Sequence, residues 1–113
     1  MKSICIAVEP GICGFSCHVQ ARRKSAQAAV VEITGSECKL VRELADNIKE
    51  ITLHDIFTPQ TRNPLFKAAE RAGCHLSCPI PIAVLKAAEV ALELALPHEA
   101  RINFIQCKEK DSA

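Results

Sequence analysis

Apolar residues recur at two different periods in different parts of the chain, and the change of period limits its fold class. From Lys2 to Glu9 the residues Ile4, Ile6 and Val8 alternate with Cys5 and Ala7, the period of a β-strand, and Pro10 and Gly11 end it. A second, shorter strand is expected around His18–Arg22, with Arg23–Ala26 as its turn. Ala28–Thr34 is rich in β-branched residues and reads as a third strand closed by Gly35. Beyond Gly35 the spacing becomes helical. Ser36 is placed as an N-cap for a helix to about Glu50, with Val41, Leu44, Ala45, Ile48 and Ile51 inward and Cys38 on the same face in the first turn. Thr52–Thr61 reads as an irregular connection.

Asn63 followed by Pro64 has the pattern of a second helix start, and Gly73 marks its end. A third helix is expected from Pro81 to Leu96, bounded by Pro97. Only Lys86, Glu89 and Glu93 interrupt its apolar surface, so it should be the central packing element. A last strand is expected over Arg101–Cys107. Strands grouped apart from helices point to an α+β two-layer sandwich: a mainly antiparallel sheet of three to four strands with three helices on one face. Residues 1–107 form one cysteine-rich domain and 108–113 a charged tail. The open sheet face, expected to carry Cys5, Ala7, Val30, Ile105 and Cys107, looks apolar enough to be covered by a second copy, giving a homodimer.

With 113 residues, about half apolar, the chain can bury a core without disulfide staples. Its seven cysteines therefore need another explanation. The balance of 14 basic and 13 acidic residues, with no Trp or Tyr, argues against nucleic acid as a partner. Charged residues break up the most apolar segment, and the short apolar N-terminal run lacks the form of a signal peptide, so a cytoplasmic, non-membrane protein is expected. In a reducing compartment clustered cysteines point to metal or redox chemistry rather than structural disulfides.

Five cysteines stand out. Cys13 and Cys17 share a three-residue spacing with Cys74 and Cys78, and each pair has a glycine beside it, Gly11 and Gly14 in the first case and Gly73 in the second. Cys38 and Cys78 lie at expected helix starts, where backbone N–H groups and the helix dipole favour a thiolate, an anionic cluster or a thiol of lowered pKa. Together Cys13, Cys17, Cys38, Cys74 and Cys78 are candidate ligands of a metal or iron–sulfur cluster, Cys74 being the one whose direction is least defined. Zinc ribbons use two-residue cysteine spacings that do not occur here, and Cys78-Pro79 matches the end of bacterial ferredoxin motifs, although their fuller cysteine run is missing. Both points favour an iron–sulfur cluster over zinc. Cys5 and Cys107, in expected strands, read as packing residues, and His18 and His75 as solvent-facing.

The segments Cys13-Gly14-Phe15, Ser36-Glu37-Cys38, and Cys78-Pro79-Ile80-Pro81 through Lys86-Ala87-Ala88-Glu89-Val90 to Ala95-Leu96-Pro97 resemble an uncharacterised family of small cysteine-rich bacterial and archaeal proteins. That family has no established activity; the anaerobic habit of many of its hosts implies tolerance of an oxygen-sensitive cluster. The leading expectation is a non-catalytic domain in which a cluster or zinc serves a structural or sensing role. Two other readings stay open: a small thiol redox enzyme using Cys38 or Cys78 as nucleophile, and a dimeric adaptor whose cysteines merely pack.

Overall fold

A computed structural model describes residues 3–11 and 13–108. The element order is β1 (Ser3–Val8), β2 (Cys17–Ser25), β3 (Ala28–Thr34), α1 (Lys39–Asn47), β4 (Glu50–Thr52), α2 (Leu53–Ile56), a 3-10 turn (Gln60–Arg62), α3 (Pro64–Ala72) and α4 (Ile80–Ala91). The strands form one antiparallel sheet in the order β1-β2-β3-β4. The α+β class is as expected. Among the described residues the sheet has four strands, within the expected three to four, and four α-helices stand where three were expected.

Strand alternation sends Val8, Cys17, Val19, Ala21, Ala29, Val31 and Ile33 to the buried face. The helices cover that face. α4 lies across β1, β2 and β3, while α1 packs between β3 and α3. Ala83, Ala87 and Ala88 of α4 are almost fully buried, and such small side chains let the helix approach the sheet closely.

Several expected boundaries move. β2 runs on through Arg23 to Ser25 with an irregular register there, and the turn falls at Ala26 and Gln27. α1 stops at Asn47 because Lys49 turns its carbonyl to the Val31 N–H at 2.9 Å and Glu50–Thr52 pairs with Ala28–Val30. Ile51 is buried as expected, but from a strand. Within the supposed irregular connection, Thr52 Oγ1 accepts from the Asp55 N–H at 3.1 Å and Asp55 Oδ2 from the Thr52 N–H at 2.9 Å, a reciprocal cap that starts α2.

α3 begins and ends where expected. Asn63 is its N-cap and is buried, its Oδ1 accepting from the Leu65 N–H while its Nδ2 donates to the carbonyls of Asp55 and Thr58. α4 ends about five residues short of Leu96. Leu94 N–H bonds the Glu89 carbonyl and Glu93 N–H that of Val90, closing the helix through Glu93 at φ 62°.

Two further expectations are corrected. Arg101–Cys107 forms no strand: residues 96–108 carry no helix or strand. The open sheet face is not apolar, because His18, Gln20, Arg22, Glu32 and Thr34 occupy it beside Cys5, Ala7 and Val30, and Ile105 and Cys107 are not part of it. Charged and amide side chains at alternate positions of β2 and β3 keep that face wet, which removes the argument for a dimer built on it. Most of the expected charged tail, 109–113, and the expected strand start at Lys2 lie outside the described residues.

Candidate thiol site

Cys78 is the common neighbour of the other four candidate cysteines. Its charge raises the pKa of Cys17 and of Cys74, and the charges of Cys13 and Cys38 raise that of Cys78. Thiols from distant parts of the sequence therefore share one electrostatic neighbourhood. The residues come from four parts of the fold: the β1–β2 loop, the start of β2, the cap of α1, and the α3–α4 connection.

Local structure explains each position. Gly11 and Gly14 take positive φ values of 94° and 70°, and the Gly14 N–H bonds the Gly11 carbonyl, so the chain turns tightly around exposed Cys13. Cys17 pairs with Val8 as the first residue of β2 and is buried, a strand residue where a loop was expected. Cys38 is the N-cap of α1 itself rather than a first-turn residue. Its N–H bonds Ser36 Oγ at 3.1 Å, so the serine expected to cap the helix instead supports the residue that does.

Cys74 is fixed by the end of α3. Gly73 sits at φ 79°, its N–H on the Glu70 carbonyl, and the Cys74 N–H returns to the Ala69 carbonyl at 3.0 Å. This turn carries the Cys74 thiol to 3.8 Å from the Leu40 carbonyl at the start of α1, a weak S–H contact. Its side chain, undefined in direction from sequence, thus lies toward the other cysteines.

At Cys78, proline on both sides of Ile80 removes two backbone donors from the beginning of α4, and the Ile80 N–H is directed to the Cys78 sulfur. The expected lowering of the pKa is overturned all the same. Burial raises Cys78 first, the Ile80 hydrogen bond only opposes it, and Cys13 and Cys38 add to the rise. Burial is likewise the leading cause at Cys17 and Cys74. Shielded thiols in mutual repulsion hold their protons at neutral pH.

Among the described residues, no group of three or more His, Cys, Asp or Glu side chains is set closely enough to hold a metal ion. His18 and His75 are exposed, as are Cys5 and Cys107. Phe15 and Leu76, lying within the two spaced pairs, are exposed as well, Leu76 completely. A shallow depression of about 340 Å³ between β3 and α1, bounded by Thr34, Ser36, Val41 and Arg42, is lined by none of the five cysteines.

A family model matches residues 4–104. The chain belongs to the DUF6951 family, a family of unknown function. The match takes in all nine elements of the DUF6951 chain, apart from Ser3 of β1, and all five candidate cysteines. No curated protein and no solved structure matches it.

Proposed function

We propose that this DUF6951 chain is a metal-binding or iron–sulfur-binding domain in which Cys13, Cys17, Cys38, Cys74 and Cys78 supply the ligands, with a structural or sensing rather than catalytic role. The observation carrying this reading is the electrostatic neighbourhood that Cys78 shares with four cysteines from distant segments. Burying several thiols together is unfavourable once they ionise, unless a cation compensates their charge. A soft divalent metal or a cluster supplies that compensation and accepts sulfur-rich donor sets of this kind.

A cluster is preferred to a single zinc ion because the two-residue cysteine spacing of zinc ribbons is absent and Cys78-Pro79 matches the end of bacterial ferredoxin motifs. Cys13 is exposed on its glycine-turned loop, so that loop is the element that would close on a bound metal. Its closure on the metal would couple metal or redox state to the shape of that corner, in a reducing, cytoplasmic setting that keeps the thiols free.

The raised pKa values of Cys17, Cys74 and Cys78 weigh against the thiol-enzyme alternative, which needs a stabilised thiolate. Single serine variants test the proposal. Replacing Cys78 or Cys38 should remove most of the bound metal from anaerobically prepared protein, whereas Cys5→Ser and Cys107→Ser should retain it. Equal losses at Cys5 and Cys78 would refute the assignment.

A further inference from the structure

Residues 101–107 have the composition and alternation of a strand but stand free of the sheet. Ile102, Phe104 and Ile105 are 92%, 103% and 81% exposed, and among the described residues no backbone hydrogen bond ties 101–108 to the rest of the chain. The molecule is drawn out, measuring 57 × 30 × 27 Å with a radius of gyration of 15.6 Å, against roughly 13 Å for a compact chain of this size. Three large exposed apolar side chains on a segment that makes no backbone hydrogen bond to the rest of the described chain are a template for strand pairing.

The sheet holds the complementary half. Among the described residues β1 is an edge strand paired only with β2, and its six residues are close in length to the seven-residue segment. Ile4 and Ile6 point to the helix layer yet remain half-exposed, because nothing lies outboard of them. The other edge, β4, has three residues and runs straight into α2, leaving little length for pairing.

We infer that this protein forms a two-fold dimer by strand exchange, in which residues 101–107 of each copy add to the β1 edge of the other. With Ile102 and Phe104 on the helix side they cover Ile4 and Ile6 of the second copy, and alternation then puts Ile105 and Cys107 on the open face beside Cys5 and Ala7. The second copy is the fitting occupant because the segment makes no backbone hydrogen bond to its own sheet, and a reciprocal exchange satisfies two tails and two edges at once. The two side chains on the helix side, roughly 150–200 Å² each, counted with the edges they cover in both copies, come to on the order of 1,400 Å², within the range of stable dimers. This exchange uses the sheet edge, not its polar face, and is independent of any metal.

Sedimentation velocity of the full chain in reductant, paired with amide hydrogen exchange, tests the inference. The wild-type protein should sediment as a dimer, and the double variant Ile102→Asp/Phe104→Asp as a monomer that keeps the wild-type helical circular dichroism, its dimer dissociation constant raised at least a hundredfold. These side chains touch no core, so the variant should still fold. Amides of β1 should exchange markedly faster in the variant. A monomeric wild type overturns the inference, including a monomer with protected β1 amides, which would mean that the segment closes on its own sheet. A variant that stays dimeric, or unchanged β1 exchange, overturns it too.

Discussion

Cys17 begins β2 at the floor of the core and Cys78 stands ahead of α4, yet the charge of Cys78 raises the pKa of Cys17, second only to burial. The metal-free protein should register this in its stability. A thiol whose folded pKa lies above the ordinary value of 9.0 favours folding while it is protonated, so its contribution is complete below pH 9 and declines as pH rises through the folded value. Urea midpoints should be flat near neutrality and fall above about pH 9, less steeply in Cys78→Ser. A midpoint that rises across that range would contradict the thiol geometry.

Asn63 serves three hydrogen bonds from a buried position, capping α3 and holding the carbonyls of Asp55 and Thr58. Asn63→Ala should destabilise the protein by about 2–3 kcal/mol, the lost cap plus carbonyls left without a donor. Asn63→Asp keeps the capping oxygen and loses the amide donor, so it should fall between. Chemical denaturation measures both, and a loss below about 0.5 kcal/mol for alanine would place the residue among ordinary surface positions.

Gly73 and Glu93 fill the same left-handed position at the ends of α3 and α4, at φ 79° and 62°. One is the residue suited to that conformation and the other is not. Gly73→Ala should cost about 1 kcal/mol and, by shifting Cys74, weaken metal retention. Glu93→Gly should stabilise by up to about 1 kcal/mol, since its partner Arg23 forms only an exposed ion pair at 3.4 Å. Opposite signs in thermal or urea unfolding are the expected outcome; the same sign for both would contradict the shared geometry.

Features governed by local chemistry were legible in the residues themselves. Alternation in β1 and β3, the Asn63-Pro64 start and Gly73 stop of α3, and the apolar surface of α4 all act within a few neighbours. What escaped depends on distant partners. Ile48 and Ile51 fit a helical spacing, but the free edge of β3 captures Glu50–Thr52. α4 could not be seen to stop at Leu92, because glutamate gives no warning of a left-handed turn. Residues 101–107 alternate like a strand, yet alternation alone supplies no pairing partner, and among the described residues the segment makes no backbone hydrogen bond to the sheet.

The thiol site divides the same way. Glycine spacing pointed to the paired cysteines and helix starts to Cys38, and electrostatic coupling links all of them through Cys78. The lowered pKa expected at Cys78 is reversed because burial, which outweighs the Ile80 hydrogen bond there, is set by tertiary packing.

Purification without oxygen, followed by a visible absorption spectrum and iron and zinc analysis per chain, tests the central claim most directly. The account predicts brown protein with sulfur-to-iron charge-transfer absorbance and near-stoichiometric cluster iron, lost on exposure to oxygen or chelator. Colourless protein with neither iron nor zinc would contradict it.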